Sequence, residues 1–268
     1  MPSLEDCVVA VTGASAGIGR ALAALLVTRG ARVAAFARRA DRLATLAGEL
    51  SDAKGTLLPV TGDVTNEHDV DALVTRAVDA FGRLDVMVAN AGIGFHGPLD
   101  DTPPDVVRRL FDVNVMGTIH AARSALAVMR KQGHGHIIAV SSIVGRRGVE
   151  GSSVYAATKA AQVTFIESLR AEFAGTDLHA SVVYPIATAT EFHDAIRRDY
   201  GHIAAGRGPR QPAEAVARAI ARCIERPRAE VYPYGRSKVL ALLAVALPAT
   251  TDRIVSRYRR RSRPDGTA

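Results

Sequence analysis

Hydrophobic residues in this chain gather in short β-branched runs, separated by longer stretches in which apolar positions recur every three or four residues. The runs are CVVAVT at 7–12, ARVAAFA at 31–37, TLLPV at 56–60, LDVMVAN at 84–90, HIIAVSS at 136–142 and HASVVYP at 179–185. Apolar runs of this kind, without polar alternation, predict strands buried on both faces. The stretches between them predict helices near 17–29, 41–51, 66–81, 103–131 and 152–174, followed by a helix at 213–225 and a strand at 229–232. Strands that alternate with helices predict an α/β fold with a parallel sheet between helical layers. No linker, repeat or low-complexity segment interrupts the pattern before 232, so residues 1–235 are expected to form one domain.

Two segments depart from the alternation. ATATEFHDAIRRDYGHIAAGRGPRQP at 187–212 is polar, contains glycines and closes on Pro212 just before a helix. It predicts a loop or short helical lid beyond a strand end, where open parallel sheets bind their ligands. The second segment, 236–268, pairs the apolar run VLALLAVAL at 239–247 with an arginine-rich tail. The run ends at Pro248, well short of the roughly 20 residues a spanning helix needs.

Charge changes the picture only at that tail. The chain has 268 residues, 48% of them hydrophobic, and a net charge of +7. Six arginines and one aspartate between 253 and 268 supply most of that excess. Aromatics make up 5% with no tryptophan, which leaves few stacking platforms and argues against a nucleic-acid-binding protein. Cys7 and Cys223 form no metal-spaced pair, so neither zinc nor a disulfide framework is indicated. The N-terminus has no signal-peptide pattern, and a cytoplasmic location is expected. An apolar helix beside arginines predicts packing on the protein itself or a sister subunit, with weak membrane-surface association as the competing reading.

Candidate chemistry begins with TGASAGIG at 12–19, directly after the first strand. Gly13, Gly17 and Gly19 let the backbone turn tightly into a helix whose free N–H groups favour a pyrophosphate. In SSVYAATKAAQ, Tyr155 and Lys159 are one helical turn apart and share a face, with small residues between them. An ammonium there would favour the phenolate and lower the pKa of the phenol, whereas an isolated pair of this kind reads equally as a core tyrosine and a solvated lysine.

With Thr12 to Gly19, Asn90-Ala91-Gly92, Asn114, Ser142, Tyr155 and Lys159 in this order, the sequence resembles the short-chain dehydrogenases/reductases over about residues 5–235. The resemblance implies a Rossmann-like, doubly wound, three-layered single domain and an NAD(P)-dependent oxidoreductase acting on an alcohol or carbonyl. It implies that Thr12, Gly13, Ser15, Gly17, Ile18 and Gly19 surround the cofactor pyrophosphate, that Asp63 and Val64 hold the adenine, and that Asn90, Ala91 and Gly92 line the site. Tyr155 would be the acid, Lys159 would grip the ribose, Ser142 would bond the substrate oxygen, and Asn114 would hold a water that links Lys159 to solvent. Ser141 is the alternative to Ser142, since adjacent strand residues face opposite ways, and the family register selects Ser142. After the sixth strand, Pro185, Thr188 and Thr190 fall near the nicotinamide carboxamide, but Ile186 replaces the family glycine.

At the end of the second strand, where an NAD site carries an acid, this chain has Ala37 followed by Arg38 and Arg39. Guanidinium groups recognise a 2′-phosphate, with Ser15 as a further donor, so the expected cofactor is NADP(H). Ile93, Phe95, His96, Ile143, Val144, His193 and the loop 191–210 are candidate pocket residues, suited to a medium-sized hydrophobic carbonyl or alcohol. The resemblance implies a homo-oligomer, dimer or tetramer, through the helices near 103–131 and 152–174. A regulatory NADP-binding protein at a lipid surface or on a partner is the alternative, disfavoured because the whole Asn114, Ser142, Tyr155, Lys159 set is present.

Overall fold

Residues 3–192, 196 and 210–253 are described by a computed structural model of the chain. Seven parallel strands form one sheet in the order β3-β2-β1-β4-β5-β6-β9. They are β1 (Val8–Thr12), β2 (Arg32–Ala37), β3 (Thr56–Thr61), β4 (Val86–Ala89), β5 (His134–Val140), β6 (Asp177–Val183) and β9 (Glu230–Val231). A two-residue pair, β7 (Thr188–Ala189) and β8 (Gln211–Pro212), stands apart from it. The helices are α1 (Gly17–Thr28), α2 (Ala40–Glu49), α3 (Glu67–Phe81), α4 (Pro104–Phe111), α5 (Gly117–Gln132), α6 (Ser153–Glu172), α7 (Ala213–Glu225) and α8 (Arg236–Ala246).

Both faces of the sheet are buried, which explains why its strands read as continuous apolar runs. On one side, Val9 and Val11 pack with Leu22 and Leu26 of α1 and Ile220 of α7. On the other, Val8 and Ala10 pack with Leu73 of α3, Ala122 of α5 and Ile166 of α6. This is the expected Rossmann-like three-layer architecture. Helix ends follow local chemistry: Asn66 caps α3 by accepting from the His68 N–H, and Gly82 ends it at a left-handed φ of 82°.

The predicted helix over 103–131 is divided by a π-helical turn, Asp112–Met116, centred on Asn114. The segment 187–212, expected as loop or lid, carries the β7–β8 pair at its two ends. Two-residue strands have no periodicity to reveal them. The strand order reverses direction around β1 and β4, which opens a cleft beyond their carboxyl ends.

Candidate functional site

The turn between β1 and α1 fits tightly against the turn after β4. Gly13 has a φ of 69°, and a Cβ there would lie 2.8 Å from Ala91 Cα. Gly17 has a φ of 55° and faces the Thr190 side chain. A Cβ on Gly19 would fall 2.4 Å from the Gly13 carbonyl oxygen and 2.5 Å from Asn90 Nδ2. Glycines at 13 and 19 therefore let the two turns pack this closely, and the turn they shape is the glycine cradle that borders the cavity. The Thr12 hydroxyl accepts from the N–H groups of Asn90 and Ala91, both at 3.0 Å, and Asn90 Nδ2 donates to the Thr12 carbonyl at 2.9 Å. Thr12 and Gly19 thus brace the wall from behind, while Gly13, Ser15, Gly17 and Ile18 line the cavity.

Cationic groups stand at the far end of β2. Arg39 donates to Ser15 Oγ from Nε at 3.2 Å and Nη2 at 3.0 Å. Arg42 binds both carboxylate oxygens of Glu191, at 2.6 and 2.8 Å, and Arg39 approaches the same group at 3.5 Å. These arginines hold the Glu191 carboxyl below its ordinary range. Arg38 turns the other way, 3.8 Å from Asp63, which also accepts from the Thr65 N–H. Arg39 and Ser15 therefore form the paired donor corner, and Arg38 is an exposed neighbour.

Tyr155 and Lys159 project from α6 into the same cavity as Ser142 at the end of β5. Burial pushes the Tyr155 phenol up to about 12, and the hydrogen bond with Ser142 acts in the opposite direction. Burial also brings Lys159 down to about 7. Its Nζ donates to Val140 O at 3.1 Å and Gln162 Oε1 at 3.0 Å, and lies 5.8 Å from the centre of the Tyr155 ring. The expected lowering of Tyr155 by Lys159 is not what the arrangement shows: burial raises the phenol, and Ser142 is the group that opposes it. Ser141 is buried and donates to the Lys159 carbonyl at 2.8 Å, which fixes α6 and leaves Ser142 on the cavity side.

Asn114 is fully buried behind this wall. Its Oδ1 accepts from the Ile93 N–H at 2.8 Å, and its Nδ2 donates to Ile93 O and Thr158 Oγ1. Where the resemblance implies a water between Asn114 and Lys159, the structure places the Gln162 amide, donating to Asn114 O at 2.8 Å while accepting from Lys159. Gln162 went unread in the sequence, although its spacing of three from Lys159 puts it on the same helical face.

One cavity of about 1440 Å³ joins these groups. Its walls include Arg38, Arg39, Asp63, Val64, Asn90, Ala91, Gly92, Pro185, Thr188 and Thr190, as well as Ile93, Phe95, His96, Ile143 and Val144. Phe192 lies 5.9 Å from the Tyr155 ring, centre to centre. Glu191 and Phe192, at the start of the loop 191–210 expected to border the pocket, also line it, as do Arg42 and several residues of α8, which no motif marked. His96 is held by Ser152 Oγ at 3.0 Å. His193, most of the loop 191–210 and all but one of the tail arginines lie outside the described residues. Among the described residues there is no metal-binding cluster, and no helix is long and apolar enough to cross a membrane. The glycine cradle, the Arg39–Ser15 corner and the elongated cavity fit a dinucleotide.

Comparison with known proteins agrees with that fit. A family model described as short chain dehydrogenase matches residues 7–201. An uncharacterized oxidoreductase, YxnA of Bacillus subtilis, is 32% identical over 264 residues, covering 96% of this chain and 73% of its own length. Uncharacterized oxidoreductase Lin0452 of Listeria innocua is 35% identical, covering 72% of this chain and 79% of its own. A short-chain dehydrogenase/reductase from Burkholderia phymatum, solved with NAD, superposes with a TM-score of 0.82 at 25% identity over all of both chains. An alcohol dehydrogenase from Thermococcus sibiricus, solved with 5-hydroxy-NADP, gives 0.75 at 26% identity over 85% of this chain and 96% of its own.

Proposed function

The chain belongs to the short-chain dehydrogenase family and is an oxidoreductase of that type; we propose that it interconverts a hydrophobic carbonyl and its secondary alcohol with NADP(H). The observation that carries this reading is the convergence of Ser142, Tyr155 and Lys159 on the cavity that the glycine cradle opens. When bound, the nicotinamide supplies or accepts the hydride at the substrate carbon.

The protein's own residues do the rest. Ser142 and the Tyr155 hydroxyl bind the substrate oxygen from one side, and as charge develops on that oxygen Tyr155 gives up its proton. A protonated Lys159 beside the ring favours the phenolate left behind. Phe95 and Phe192 exclude water from this end, which strengthens those interactions. Arg39 with Ser15 selects the 2′-phosphate, Asp63 and Val64 flank the adenine, and Asn90 to Gly92 with Pro185, Thr188 and Thr190 border the nicotinamide. Phe111 and Met116, exposed where α4 runs into α5, mark the side on which a sister subunit would pack.

The test is turnover by the purified protein with a panel of hydrophobic ketones, aldehydes and secondary alcohols, read as nicotinamide absorbance with NADPH or NADP⁺. Turnover of members of the panel supports the reading. No turnover of any compound, by a protein that binds the cofactor, contradicts it.

A further inference from the structure

Helix α8 is turned inside out relative to an ordinary surface helix. Val239, Leu240, Leu242, Leu243 and Val245 are each between 52% and 66% exposed. At about 100° per residue they cover an arc of about 220°. The remaining arc carries the small residues: buried Ser237 and Ala241, and half-buried Ala244. Small side chains thus face the protein and large apolar ones face outward, whereas a surface helix buries its apolar stripe. The turn that starts the helix is closed by the Ser237 hydroxyl donating to Tyr234 O at 2.6 Å. Just beyond it, Asp252 pairs with Arg147 of the loop after β5.

Its position matters as much as its surface. Tyr234, Ser237, Leu240, Ala241 and Ala244 line the same cavity as Tyr155. Val149, 51% exposed, lines it from the loop after β5. The apolar helix is therefore part of the mouth of the site.

We propose that α8 docks the protein on an anionic lipid surface and that the site takes a lipid-soluble carbonyl or alcohol from that surface; the second half rests on the function proposed above. Charge selects this occupant. The helix starts with Arg236 and Lys238, and six arginines follow between 253 and 263, against two aspartates from 236 to the end, Asp252, which pairs with Arg147, and Asp265. Anionic headgroups complement such a run, whereas a second copy docked symmetrically on the same helix would bring two such runs together. The breadth of the apolar arc also exceeds the roughly 100° stripe that packs on a partner helix and suits immersion among acyl chains. Eleven residues rise only about 16 Å, so the helix enters one leaflet without crossing.

The test is co-sedimentation of the full chain with vesicles of phosphatidylcholine alone or mixed with phosphatidylglycerol, beside the double variant Val239→Asp, Leu243→Asp. Neither of those residues lines the cavity. At least about tenfold stronger partitioning of the wild type onto the anionic vesicles, lost in the folded variant, is the expected result. A tail variant with its arginines changed to glutamine is expected to lose the preference for anionic vesicles while keeping its melting temperature. Absence of vesicle binding by the wild type overturns the proposal, as does equal binding by the folded double variant. Conversion of a dimer to a monomer by the variant, without vesicle binding, assigns α8 to self-association instead. For delivery, dodecanal presented in anionic vesicles is expected to show a raised KM in the double variant, with turnover of a water-soluble aldehyde unchanged; equal KM values overturn delivery. Vesicle binding without turnover of any carbonyl would count against the catalytic function and leave the docking surface standing.

Discussion

Replacing Arg39 with alanine isolates the group proposed above to bind a 2′-phosphate. Arg39 is 43% exposed and already aims two donors at Ser15 Oγ, so the corner is formed before a phosphate arrives. Hydrogen bonds to charged groups contribute about 1.5–3 kcal/mol each, so losing one should weaken NADPH binding by about 10- to 150-fold. NADH affinity should move by less than about twofold. Glu191 competes for the same cations, and exposed pairs contribute about 0.2–1 kcal/mol. Glu191→Gln should therefore strengthen NADPH binding by up to about fivefold, and more so at low salt. Arg38→Ala should have the smaller effect, since that side chain is 58% exposed and turned toward Asp63. The assay is titration of each reduced cofactor, followed by nicotinamide fluorescence, in the wild type and the three variants. An unchanged NADPH-to-NADH ratio in Arg39→Ala, or an equal loss for both cofactors, would refute the assignment.

Ser141 and Ser142 are adjacent but should behave oppositely: Ser141→Ala removes a buried bond to Lys159 O and should cost about 1 kcal/mol of stability, seen in denaturant melts. Ser142→Ala should leave stability nearly unchanged while lowering kcat about 10²- to 10³-fold, as loss of one donor to a developing oxyanion does. Gly19→Ala would set a methyl 2.4 Å from the Gly13 carbonyl oxygen, and calorimetry should show lost cofactor binding with about 1–3 kcal/mol of destabilisation. His136 is fully buried, and burial lowers its pKa to about 3, with Nδ1 lacking a hydrogen-bond partner among the described residues. The unfolded chain takes up this proton near pH 6.5 and the folded chain only near 3, so stability present above 6.5 is lost as pH falls toward 3. The loss is at most about 5 kcal/mol, and His136→Gln should flatten it in melts at pH 7 and pH 4; an unchanged slope would rule His136 out as its source.

The sheet was legible because its strands are buried on both faces and read as apolar runs, so β1 to β6 fall within about two residues of their expected positions. The π-helical turn at Asn114 was not, since a single extra residue per turn leaves no mark on hydrophobic spacing; the Asn114 to Ile93 hydrogen bonds that hold it are long-range. Motif order put Tyr155, Lys159 and Ser142 on one cavity wall. Thr12 and Gly19 serve that wall from behind, a distinction that depends on β4 packing against the turn after β1. Glu191 and Phe192 open the loop expected to border the pocket, whereas Arg42 and Leu240 reach the site by tertiary contact alone, and nothing in their local sequence marks them.

The central claim is that Tyr155 is the proton donor at the reacting oxygen. Its most direct measurement is the single-turnover rate of Tyr155→Phe on the best substrate of the panel, beside its NADPH affinity. The ring and its packing on Phe192 are retained while the hydroxyl is lost. The account predicts a fall in rate of at least about 10³-fold with cofactor affinity within about threefold of wild type. A variant that keeps most of its rate would contradict the assignment of Tyr155 as the acid.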